Sequence, residues 1–152
     1  MRVGVWRAVV AFLLASVPSP LLAQSDEINA LNHQVKQLYE AGKYSEAVPI
    51  AQDALALAEK LHALDDPEVA TPLNNLAMLL FATNQLSVAE PLMRRALVIE
   101  EKSFGPEHPE LATDLDNLAT LLRATNRLSE AEPLMRRALA IEEKASVPSI
   151  PT

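Results

Sequence analysis

The chain has 152 residues, 20 acidic against 13 basic, a net charge of −7 and no cysteine. With 49% of its residues hydrophobic, 4% aromatic and only 3 glycines, it has the composition of packed helices rather than of a sandwich or barrel. The missing cysteine excludes disulfides, thiolate metal sites and a cysteine nucleophile, and the acidic balance argues against nucleic acid, whose phosphates require clustered Lys and Arg.

Residues 1–23 read as an export signal. Arg2 and Arg7 give a positive start, residues 9–14 are an uninterrupted apolar run, Pro18 and Pro20 break it, and Leu21-Leu22-Ala23 offers a small residue for cleavage before Gln24. Residues 8–23 are too few and too interrupted for the roughly 20 apolar residues of a spanning helix, so no stable membrane span is expected in the mature chain. Cleavage leaves 11 basic against 20 acidic side chains, or −9, and implies a periplasmic or secreted protein. That acidity reads as a solvated outer face that keeps an Ala- and Leu-rich body in solution.

From residue 24 to 144 the chain is built on a repeat of 42 residues. Residues 73–102 match residues 115–144 at 24 of 30 positions, and residues 31–72 match residues 73–114 at 14 of 42. The copies are therefore 31–72, 73–114 and 115–144, and residues 145–152 read as a disordered tail. A unit of this length cannot bury its apolar face alone, so the copies are expected to stack, and the product of such stacking is a binding surface rather than a catalytic one.

Each copy predicts two amphipathic helices. In the second, Leu73, Leu76, Ala77 and Leu80 and then Ala89, Leu92, Met93, Ala96 and Leu97 recur at helical intervals. Gly42, Asn84 and Asn126 occupy one position between the helices, where a left-handed residue ends the first. Ser87 with Glu90 and Ser129 with Glu132 have capping-box spacing for the start of the second helix, and Ser45 supplies half of that box. Pro49, Pro91 and Pro133 sit just inside this start. The first helix of the second copy starts either at Asp66-Pro67-Glu68, with a kink at Pro72, or at Thr71 with Pro72 as its first residue.

With LNNLA at 73–77, AEPLMRRAL at 89–97 and IEEKSFGPEHPELA at 99–112, residues 26–144 resemble tetratricopeptide repeats of the 42-residue kind found in kinesin light chains and many bacterial repeat proteins. The first copy departs from the pattern at Gln34, which stands where Leu76 and Leu118 stand, and at residues 61–66, which replace the SFGPEH connector. The resemblance implies an all-α fold, a right-handed α-solenoid of about three helix-turn-helix repeats. It also implies a concave groove lined by the first helix of each pair, in which a peptide of a partner protein lies. The groove positions are then Asn32, His33, Lys36 and Tyr39 in the first copy; Thr71, Asn74, Asn75, Met78 and Phe81 in the second; Thr113, Asp116, Asn117, Thr120 and Arg123 in the third. Asn amides suit the main chain of an extended peptide, and Lys36 and Arg123 suit acidic groups. The same Asn residues equally suit bonds between neighbouring copies, and Tyr39 and Phe81 suit partial burial between them.

The pairs Arg94-Arg95 and Arg136-Arg137 fall on second helices near Glu90 and Glu132 and read as outer-face charges with partners four residues away. No catalytic site emerges. His33, His62 and His108 fall in different copies, no H-E-x-x-H, phosphate loop or nucleophile elbow occurs, and His108 reads as a cap for the next helix. No metal or cofactor is expected. After Lys144 no polar capping helix follows, so Ala131, Leu134, Met135, Ala138, Leu139 and Ile141 are expected to provide both an inner face and an exposed edge, a route to a homodimer. The expected function is that of an exported, non-enzymatic module binding a partner peptide. The alternatives are a self-associating or shortened repeat array and an accessory subunit of an extracytoplasmic enzyme.

Overall fold

Gly42, Asn84 and Asn126 have φ of 71°, 61° and 59°, and at each of them a helix ends and the chain doubles back. The closing bonds repeat with the sequence. Lys43 N–H donates to Leu38 O at 2.8 Å, Gln85 N–H to Leu80 O at 2.7 Å and Arg127 N–H to Leu122 O at 2.7 Å, each joined by a shorter-range bond from the left-handed residue itself. This is the Schellman arrangement, in which one residue with positive φ satisfies the last carbonyls of a helix.

A computed structural model describes residues 20–146. Its helices are α1 (Pro20–Glu40), α2 (Tyr44–Leu61), α3 (Pro67–Ala82), α4 (Leu86–Phe104), α5 (Glu110–Ala124) and α6 (Leu128–Ser146), with no strand among the described residues. The expected signal falls largely on residues 1–19, outside the described residues; α1 takes in residues 20–23, and the first of its described side chains to be buried is Ile28. The expected tail begins at 145, but α6 runs on through Ser146, and residues 147–152 lie outside the described residues.

The starts of the second helices differ from the capping-box expectation. Gln85 is the N-cap of α4 and makes no side-chain cap bond, which puts Ser87 inside the first turn. The Schellman turn delivers the chain straight into the next helix, whose first bonds run to the carbonyls of Gln85 and Arg127, so the serine hydroxyls lie one step too late to cap. At α3, the Asp66 carboxylate accepts from Glu68 N–H at 2.9 Å, Pro67 occupies the first helical position, and the helix runs on through a buried Pro72. His108 does not cap α5. Its carbonyl accepts from Leu111 N–H at 3.1 Å, while its ring lies 5.1 Å from that of Phe104.

Packing follows the repeat. Leu73, Leu79, Leu111, Leu115, Leu118, Leu121 and Leu122 are fully buried, and Ala47, Ala77, Ala89 and Ala96 at 0% exposure let the helix axes approach. Each buried leucine contributes about 1.5 to 3 kcal/mol. α1 touches α3 and α3 touches α5, so the first helices form one inner layer, while α2 and α4 pack on the following first helix. Gln34 is exposed at the start of this stack where its counterparts Leu76 and Leu118 are buried, and Val35 keeps the core.

The outer layer is joined by charge, and here the arginine expectation is corrected in part. Arg94 and Arg136 do pair four residues back, with Glu90 at 2.8 Å and with Glu132. Arg95 and Arg137 instead reach into the preceding repeat. Arg95 pairs with Glu59 and donates to Leu64 O at 2.9 Å; Arg137 pairs with Glu101 at 2.9 Å and donates to Pro106 O at 2.8 Å. Lys102 with Asp65 and Lys144 with Glu107 add a second rung at each step. The guanidinium fork holds a carboxylate and a carbonyl at once, which is why arginine occupies both equivalent positions.

Candidate functional site

The inner layer carries a cavity of about 380 Å³ between α1 and α3, open to solvent and mostly apolar. It is lined by Asn32, His33, Lys36 and Tyr39 of α1 and by Thr71, Asn75 and Met78 of α3, all of them expected groove positions, together with Val35. They converge because helical positions three and four apart share a face and the two first helices lie side by side. Val35 is nearly fully buried and forms the floor; it escapes a search for groove residues because its spacing marks it as core. Tyr39 and Met78 are half-buried, and the Tyr39 ring lies 5.1 Å from that of Tyr44. His33, Lys36 and Thr71 are exposed at the rim, where Lys36 stands 4.0 Å from Glu40.

The amides divide the rest of the expected set. Asn75 donates to Asn32 Oδ1 at 3.0 Å, a bond between the first and second repeats. Asn74 turns the other way, and its Nδ2 donates to Glu100 Oε1 at 3.1 Å and to Asp114 Oδ1 at 3.0 Å. Phe81 is half-buried against the core. On α5, Thr113, Thr120 and Arg123 are exposed and Asn117 is half-buried, without entering the α1–α3 cavity. Asp116 faces the far end of the stack, where it borders a cavity of about 420 Å³ with Glu132, Met135, Arg136, Leu139 and Glu142. Seven of the fourteen expected groove positions thus line one compact site on the first two repeats, Asn74 and Phe81 lie outside it, and the five of the third repeat stand apart.

The surrounding electrostatics are uneven. Burial of Glu90 opposes its ionisation, but hydrogen bonds from Arg127 and Arg94 outweigh that and hold its carboxyl below the usual range. Glu100 and Asp114 go the other way: burial and mutual repulsion push Glu100 up to about 9, and burial raises Asp114. Spacing alone gives no notice of this pair, except that Glu100 and Asp114 stand where the first copy has Ala58 and Pro72. Among the described residues no group of three or more His, Asp or Glu is placed to hold a metal ion, and no helix is long and apolar enough to cross a membrane.

The tetratricopeptide repeat family profile matches residues 26–99 and 68–144. Among solved structures the fold is similar to nearly identical TPR-like repeats of a kinesin light chain from Podosopora anserina, with 23% identity and a TM-score of 0.73 over 84% of this chain and 60% of that one. It is also similar to the TPR domain of Arabidopsis FLU, at 17% identity and a TM-score of 0.69 over 80% of this chain and 98% of that one. BtubC from P. vanneervenii matches at 18% identity and a TM-score of 0.60, over 83% of this chain and 58% of that one. The chain thus spans about three fifths of the first structure it resembles. A comparison with curated proteins finds no match.

Proposed function

We propose, since this chain belongs to the tetratricopeptide repeat family, that it is an exported, non-enzymatic protein-interaction module that holds a partner peptide in the groove of its first two repeats. The cavity between α1 and α3 carries this reading: an apolar floor of Val35, Tyr39 and Met78 takes a side chain of the peptide, and the rim offers Lys36 for an acidic neighbour. Removal of residues 1–23 is compatible with the site, because Leu22 and Ala23 are exposed and, among the described side chains, the first that α1 buries is Ile28. The test compares native chain and Met78→Glu as baits in the exported fraction. A partner retained by the native chain and lost by the variant at equal helicity supports groove binding; identical retention by both overturns it. Amino-terminal sequencing of the exported form should begin at Gln24, and recovery of only the intact Met1 form would remove the export reading.

A second reading is self-association through α6. Met135 and Leu139 are 41% and 55% exposed, whereas Met93 and Leu97, at the same positions one repeat earlier, are 3% and 8% exposed beneath the third repeat. Sedimentation that is independent of concentration would exclude it.

A further inference from the structure

The second and third repeats meet at two carboxyl groups that no basic side chain among the described residues bonds. Glu100 of α4 and Asp114 of α5 both accept from the single Asn74 amide of α3, and the second oxygen of Glu100 is buried without a partner. Nearby charge offers no neutralisation. Glu110, one turn before Asp114 on α5, adds repulsion; on α4, Glu101 is taken by Arg137 and Lys102 by Asp65; the one charged side chain of α3, Glu68, sits in its first turn. Asp116 of α5 lies with the α6 side chains at the end face. The corresponding junction of the first two repeats has buried Ala58 and Pro72 in place of the two acids, so it contains no titrating pair.

Two carboxylates brought this close in a half-buried junction cannot both stay ionised without strong repulsion, whereas one proton between them converts repulsion into a hydrogen bond. We propose that Asn74, Glu100 and Asp114 form a proton-operated latch: a proton shared by the two carboxyls holds the second and third repeats together, and its loss drives them apart. The latch is not part of the α1–α3 cavity. Opening it would separate α3 from α5 and so change the alignment of the third repeat with the groove. A carboxyl raised in the folded chain binds a proton that the unfolded chain releases. The stability from the latch is therefore full below the ordinary value of 4.5 and is lost as pH rises towards about 9.

The absence of native cysteine allows the two junctions to be read separately by spin labels. Ser45, Ser87 and Ser129 are exposed equivalents at the starts of α2, α4 and α6, so the pair Ser87→Cys/Ser129→Cys spans the latch junction and Ser45→Cys/Ser87→Cys spans the control. Between about pH 6 and about pH 9.5 the latch pair should lengthen and broaden while the control pair stays fixed. Glu100→Gln imitates the protonated group and should keep the latch distance constant across that range; Asp114→Asn serves the same purpose should the first variant not fold. An unchanged latch distance in the native chain, an equal change in the control pair, or a change that persists in the neutral variant would each overturn the proposal.

Discussion

Asn75 donates its amide Nδ2 to Asn32 Oδ1 across 3.0 Å, tying the second repeat to the first at the edge of the α1–α3 cavity. Asn117, at the same position in the third repeat, makes no side-chain hydrogen bond among the described residues. One amide is engaged with the neighbouring repeat and the other is not. Asn75→Ala should therefore lower stability by about 1 kcal/mol, since it leaves a partly buried acceptor unmatched. Asn117→Ala should leave the melting temperature within error. Thermal melts of the two single variants separate the roles; equal losses in both would show that Asn117 is structural too.

The repeat supplies its own control for burial. Leu97 and Leu139 share one motif position, yet the first is 8% exposed and the second 55%. Leu97→Ala is expected to cost about 2 to 4 kcal/mol through lost contacts and a residual cavity. Leu139→Ala should cost well under about 1 kcal/mol, as for other exposed substitutions. Urea titrations measure both, and a large loss at Leu139 in dilute solution would mean that this face is covered by another copy.

At Asn84 the backbone has φ of 61°. Replacement by Gly should be neutral or raise stability by a few tenths of a kcal/mol, since Gly meets no steric penalty there. Val at the same site should cost about 1 to 2 kcal/mol, because a β-branched side chain clashes in the left-handed region. Melting temperatures ranked Gly at or above Asn, with Val well below, are the expected result.

Arg95 binds the Glu59 carboxylate and the Leu64 carbonyl together. Arg95→Lys keeps the charge but has no planar fork, so it should lose one of the two contacts and about 0.5 to 1 kcal/mol. A double-mutant cycle with Glu59→Gln isolates the ionic part, which should shrink in high salt. A coupling unaffected by salt would point to the carbonyl contact as the larger share.

Most of the fold was legible because it depends on local, periodic causes. The apolar spacing from Leu73 to Leu97, the left-handed Gly42, Asn84 and Asn126, and the proline positions each act within one helix or turn, and repetition made them easy to see. The capping boxes misled for a physical reason: S-x-x-E spacing describes a helix entered from an extended residue, whereas here Gln85 and Arg127 leave a Schellman turn already placed to open the next helix. Spacing already sets Arg95 and Arg137 apart, since Pro91 and Ile99, or Pro133 and Ile141, stand four residues away where Arg94 and Arg136 have Glu90 and Glu132; their partners across the junction are fixed only by the packed geometry. At the site, the faces of α1 and α3 were legible, but the partners of the Asn residues were not. Asn74 and Asn75 are adjacent in sequence and bond to opposite neighbouring repeats, a distinction set by their rotation about one helix.

The outer rungs join residues 36 or 37 positions apart, a little less than one repeat, and each separation recurs at both junctions. The chain is thereby a tile with matching edges. An in-frame copy of residues 73–114 inserted after Asp114 would find Glu101 waiting for its incoming Arg95, and would present its own Glu101 to the displaced Arg137. Gene duplication could lengthen such a protein without any compensating substitution, each new unit arriving with both halves of the joint already encoded.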